Sequence, residues 1–147
     1  NRNMEKHPQF PFAPKVFARC LNATCPRSQN SLRRTAALQD TDEHLFLKVV
    51  NPLRYPKEGE ECELFRSTDK VRMAWGVTHL LDNVPYKEGS LLRNMIINHL
   101  GRSQYYRCFR KERPFAPQDQ QTIRMLFRQR GISEEPSFDY YTNEFNW

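Results

Sequence analysis

Residues 89–131 constrain this chain more than any other stretch, because two helices can be read from it with their ends marked. Ser90 stands before the run Leu91-Leu92-Arg93-Asn94-Met95-Ile96-Ile97-Asn98-His99-Leu100, and Gly101 follows it. A serine hydroxyl accepts from the free N–H groups of a first helical turn, and a glycine takes the left-handed conformation that ends one. Leu92, Met95, Ile96, His99 and Leu100 recur at helical spacing, so one face is apolar. A further helix is predicted from Pro117, suited to a first helical position, to Arg130, with Gly131 as its stop. Ile123, Leu126 and Phe127 share one of its faces. Arg124 and Arg128, four apart, project side by side from another.

Between these helices, Arg102 to Arg113 alternates cations with aromatics. Tyr105, Tyr106 and Phe109 are candidates for stacking on bases. Arg102, Arg107, Arg110, Lys111 and Arg113 are candidates for neutralising phosphates. As a strand, the segment would put Tyr105, Arg107, Phe109 and Lys111 on one face and Tyr106, Cys108 and Arg110 on the other. The competing reading turns the rings to the core and lets the cations reach solvent along their aliphatic stems. The segment lacks the glycines and fixed spacing of an RNA-recognition-motif core sequence.

Elsewhere the signals are shorter. Ser67-Thr68-Asp69 reads as the cap of a third helix, about 68–82, with a wide apolar arc from Val71, Met73, Ala74, Trp75, Val77, Leu80 and Leu81. Glu43 to Val50 is the best strand candidate. Ser31 to Leu38 allows a short helical turn carrying Arg33-Arg34, a candidate phosphate contact. Pro8, Pro11 and Pro14 with Phe10 and Phe12 describe an extended arm. Five aromatics among the last ten residues are too many to leave in water, so the tail is expected to dock.

Charge is placed unevenly. The net charge is +6, but residues 102–130 hold eight Lys/Arg against two acids, and residues 131–147 hold four acids and no Lys or Arg. A basic arm and a basic helical region flanking an acidic middle fit a polyanion on one side and protein on another. Sixteen Arg against seven Lys favours bidentate phosphate or carboxylate contacts. No apolar run is long enough to predict a membrane span. A chain beginning at Asn1 rather than Met reads as a fragment or as the product of leader removal.

Catalytic motifs are not found: there is no Gly-rich phosphate loop, no HExxH and no GxSxG. His99 falls on the apolar face of its helix and reads as a core histidine. Cys20 and Cys25 are spaced C-x4-C, while Cys62 and Cys108 stand apart. Free buried thiols are expected, and no cofactor or metal. A zinc site on Cys20, Cys25, Cys62 and a histidine (His7, His44, His79 or His99) is the competing version.

In style, Phe10-Pro11-Phe12-Ala13-Pro14, Tyr105 to Arg113 and Tyr140 to Trp147 resemble the proline–aromatic arms and docked tails of accessory subunits of mitochondrial ribosomes. The resemblance implies a structural, non-enzymatic subunit in the mitochondrial matrix whose arms thread over rRNA and neighbouring proteins. RNA contact would fall to Arg33, Arg34, Arg102, Tyr105, Tyr106, Arg107, Phe109, Arg110, Lys111, Arg113, Arg124 and Arg128. The alternative is a protein-only subunit of another large assembly, such as a respiratory-complex accessory subunit or a ciliary microtubule-lining protein.

The expected fold is mainly α with a minor β element, a small α+β domain. Residues 1–40 form an extended arm, 41–131 a three-helix core and 132–147 a docked aromatic tail. Trp75, Leu80, Leu92, Met95, Ile96, Leu100, Ile123, Leu126 and Phe127 are the expected core.

Overall fold

A computed structural model describes residues 12–40 and 44–147. The fold is small α+β, with four α-helices and a two-stranded antiparallel sheet among the described residues. In chain order these are α1 (Leu32–Gln39), β1 (Val71–Trp75), α2 (Tyr86–Leu100), α3 (Arg102–Phe109), α4 (Pro117–Gln129) and β2 (Tyr140–Glu144). By its contacts the chain divides into two compact units, residues 1–69 with 146–147 and residues 70–145.

The first unit has little regular structure and a small core. Phe17, Leu32, Ala36 and Val50 are its buried apolar side chains. Polar ties do the rest. Arg19 is almost wholly buried. Its guanidinium donates to the carbonyls of Pro14 (2.7 Å) and Phe17 (2.6 Å), and its Nε pairs with Asp40 at 2.9 Å. A buried cation is tolerable because its donors are filled and a carboxylate answers its charge. Ser31 caps α1, its Oγ accepting from the Arg34 N–H at 3.2 Å. Two isolated bridges, Arg19 with Val49 and Ser31 with Ser67, fasten the loops. The strand expected at 43–50 is thus no ladder: the described part, 44–50, bends at Leu45 and bridges only at Val49. The arm's Pro8, Phe10 and Pro11 lie outside the described residues, but Phe17 and α1 build a core where only an arm was expected.

The second unit is built on β1. Residues 71–75 were expected within a helix; they form a strand instead. Ser67 does not cap a helix: its Oγ accepts from the Asp69 N–H in a local turn. Thr68 N–H donates to the Asn30 carbonyl and not into a helical turn. β1 then pairs with β2 from Val71 opposite Glu144 to Trp75 opposite Tyr140. On its other side Ala74 exchanges both backbone hydrogen bonds with Phe115. A strand claimed on both edges outweighs the strong helix propensity of Ala and Met. Trp75 stacks on Tyr140 with ring centroids 5.9 Å apart and donates from Nε1 to Thr142 Oγ1 at 2.7 Å. The tail therefore docks by strand addition and becomes half of the sheet.

α2 starts four residues before Ser90, at Tyr86, with Pro85 at its cap position. Ser90 is an exposed residue of the second turn, not a cap. Gly89, which suggested a boundary, lies inside the helix where Leu81 and Val84 approach. Gly101 ends α2 at φ +85°, as its position suggested, and α3 starts at the next residue. α4 occupies the stretch assigned to it, with Pro117 in its first turn. Arg130 donates from Nε (2.7 Å) and Nη2 (3.0 Å) to the two oxygens of Glu88 and ties α4 to α2.

The core of this unit comprises Ala74, Leu80, Leu92, Ile96, Tyr105, Cys108, Phe115, Ile123, Phe127 and Phe138, with Leu100 and Leu126 against it. Trp75 and Met95, expected inside, are only half-buried. His99 is not a core residue: it reaches Asp119 at 3.2 Å near the surface.

Candidate nucleic-acid interface

The basic-aromatic segment is helical. Gly101 turns the chain at the end of α2, and the Tyr105 N–H finds the Gly101 carbonyl at 2.9 Å, closing the first turn of α3. The strand reading of 102–113 is thereby corrected. Helical spacing sorts the side chains differently from alternation. Tyr105 and Cys108, three apart, enter the core, and burial raises the pKa of both groups. Tyr106 and Phe109 point outward, Phe109 with 55% of its surface exposed. Their rings meet edge to face at 6.3 Å. The Arg102 guanidinium lies 5.9 Å from the Tyr106 ring centre.

The cations around these rings fall into two groups. Arg107 Nη1 (3.4 Å) and Arg113 Nη1 (2.9 Å) both donate to Gln104 Oε1. One neutral amide oxygen thus gathers two guanidinium groups. Among the described residues neither of them forms an ion pair. Arg110 is engaged differently, Nε donating to Glu112 at 2.9 Å; this bond holds the Glu112 carboxyl below its usual range. Lys111, at φ +60°, pairs with Asp139 at 3.3 Å.

The remaining expected residues do not join this face. Arg124 and Arg128 of α4 both reach Glu135, at 2.6 and 3.5 Å, so a carboxylate of the tail occupies that pair. Arg33 belongs to the first unit. Its Nε donates to the Leu64 carbonyl (2.8 Å), its Nη1 to the Ala18 carbonyl (3.1 Å), and its guanidinium covers the Phe17 ring at 4.6 Å. Arg34, beside it on α1, contributes its backbone N–H to the Ser31 cap. Tyr105 is too buried to stack on a base.

Two contributors went unread in the sequence. Gln104 carries no charge and so drew no attention. Arg93 lies on α2, yet its charge lies close enough to Tyr105 to favour that phenol's ionised form, against the larger effect of burial. Only the corner at Gly101, which folds α3 back toward α2, could have shown it. The surviving face is Arg102, Tyr106, Arg107, Phe109 and Arg113, organised by Gln104. It presents rings together with guanidinium groups that form no ion pair among the described residues, which suits a phosphate chain bearing exposed bases.

No curated protein and no solved structure matches the chain. The family model of a family of unknown function, DUF6078, matches residues 4–147, and the chain belongs to that family.

Proposed function

We propose that the chain is a non-catalytic RNA-contacting component of a ribonucleoprotein, and that α3 makes the contact. The observation that carries this reading is the pair Arg107 and Arg113, drawn together on Gln104 Oε1 with no ion pair to either among the described residues, beside the exposed rings of Tyr106 and Phe109. Two like charges held together repel each other. A bridging phosphate would relieve that repulsion, and bases beyond it would meet the rings. Arg102 extends the cationic edge. The setting in a mitochondrial ribosome follows from the style of the sequence alone; the contact proposed here does not depend on it.

The test is binding of a fluorescent single-stranded RNA to the 147-residue chain, followed by anisotropy across a salt series. Affinity should fall steeply with salt, because each neutralised phosphate releases counterions. Arg107→Gln with Arg113→Gln should lower the salt slope by about 1 to 2. Phe109→Ala should cost about 1–3 kcal/mol. Arg124→Gln, already engaged by Glu135, should change little. Absence of binding at low salt would defeat the proposal, as would binding indifferent to Arg107 and Arg113.

A further inference from the structure

The first unit holds a cluster of cations in a setting unlike that of α3. Arg33, Lys48 and Arg66 line an open cleft of about 420 Å³, and among the described residues no Asp or Glu stands on its wall. Phe17, Val50, Leu64 and Trp147 supply its apolar surface. All seven residues belong to the unit formed by 1–69 and 146–147. Small-molecule sites have volumes of roughly 300–1,000 Å³ and set a few convergent polar groups in an apolar wall. The cleft meets both conditions.

Two of the cations converge on one ring. The guanidinium carbon of Arg33 lies 4.6 Å from the centre of the Phe17 ring, and that of Arg66 lies 5.5 Å from it. Phe17 is buried and Trp147 meets it edge to face, so this ring is held. Backbone carbonyls position both arginines. Arg33 donates from Nε to Leu64 and from Nη1 to Ala18, and Arg66 donates from Nη1 to Asn146 at 3.0 Å. A carbonyl fills a donor without cancelling its charge. Nη2 of each arginine makes no hydrogen bond among the described residues. Burial lowers the pKa of Arg33, and the charge of Arg66 lowers it further. Lys48, exposed on the same wall, adds a third positive charge.

We propose that this cleft binds a small amphipathic carboxylate, an acyl or aryl acid whose anionic head is taken by Arg33 and Arg66 and whose hydrocarbon body covers Val50, Leu64 and Trp147. One anion shared by two guanidinium groups relieves their mutual repulsion, and the planar fork matches a carboxylate. Lys48 strengthens the field that draws the head in. Each half of the ligand answers one half of the wall. A neutral hydrocarbon would cover the cations without balancing them, and an inorganic anion would leave the apolar wall in water. The site draws nothing from the α3 face, which lies in the other unit.

The experiment is calorimetric titration of the 147-residue chain with octanoate and with 4-phenylbutyrate, beside octan-1-ol and inorganic phosphate. At least one of the two acids should saturate at one molecule per chain. Octan-1-ol should bind about tenfold or more weaker than octanoate, for want of charge-assisted hydrogen bonds. Phosphate should not compete at the concentrations at which the acids saturate. Lys48→Gln should weaken binding about threefold, as fits an exposed charge. Arg66→Gln should weaken it about tenfold. Val16, 76% exposed on the cleft wall, gives a variant that disturbs no buried side chain. Val16→Glu sets a carboxylate against the same cations and should weaken binding about tenfold or more. Should Arg66→Gln fail to fold, Val16→Glu carries the test. Arg107→Gln with Arg113→Gln, in the other unit, should leave acid binding unchanged. Failure of both acids to saturate the wild-type chain would overturn the proposal. So would octan-1-ol binding as tightly as octanoate, full competition by phosphate, or acid binding indifferent to Val16→Glu.

Discussion

Asp139 shows how much one side chain can be asked to hold. Thr78 Oγ1 donates to its Oδ2 at 2.6 Å, Lys111 approaches the same oxygen at 3.3 Å, and its backbone N–H donates to the Trp75 carbonyl. Its Oδ1 is buried without a hydrogen-bond partner among the described residues. Gly76 makes this possible. It sits at φ +79°, and a Cβ there would lie 2.2 Å from Asp139 Oδ2. Gly76→Ala should therefore destabilise the second unit by at least about 1–2 kcal/mol, combining a left-handed alanine with a displaced carboxylate. Urea denaturation of the two proteins measures it. An unchanged midpoint would mean that Asp139 shifts aside without cost.

Among the elements, α2 offers the opposite substitution. Gly89 is helical, and a Cβ added to it would meet Leu81 and Val84 at 3.9 Å, an ordinary contact. Gly89→Ala should stabilise the helix by about 0.5–1 kcal/mol, because alanine loses less backbone freedom there. A lowered thermal midpoint would contradict the packing described. The same glycine explains where the sequence misled. Gly89-Ser90 has the composition of a helix entrance, but the true entrance at Tyr86 has no side-chain cap to reveal it. α4 was legible because its apolar period, its proline and its terminal glycine agree. β1 was not, since its partner lies more than sixty residues later and its own residues fit a helix equally well. For the candidate site, the alternation of cations and aromatics singled out residues 102–113, but it showed neither that 102–109 are helical nor that Tyr105 turns inward. It could not separate free guanidinium groups from those held by Glu112 and Glu135, because that choice is made by packing.

At the scale of the molecule, carboxylates paired with arginine or lysine set the response to acid. Hydrogen bonds from Arg130, Arg124 and Thr78 respectively hold Glu88, Glu135 and Asp139 below their ordinary pKa values. A group whose pKa is depressed on folding contributes stability that is complete above its unfolded value. That contribution is lost as pH falls through the folded value. The urea midpoint, followed by the helical signal that α2, α3 and α4 dominate, should stay level from neutral pH to about 5 and decline below about 4. Glu135→Gln should shallow that decline, since a neutral amide keeps no proton-linked tie to Arg124. A midpoint that instead rose on acidification would show that these ion pairs do not govern stability.

The junction of β1 with β2 also sets an order of events in the cell. β1 needs residues 140–144 as its partner, and in the first unit Trp147 lies edge-on to Phe17 with ring centroids 5.3 Å apart. Neither unit can close before residues 140–147 leave the ribosome. Until then β1 exposes one open edge and Phe17 lacks its partner ring. A messenger cut short before the codon for residue 140 would release a chain with a bare strand, the kind of edge that recruits other chains. Quality control of both units turns on residues 140–147.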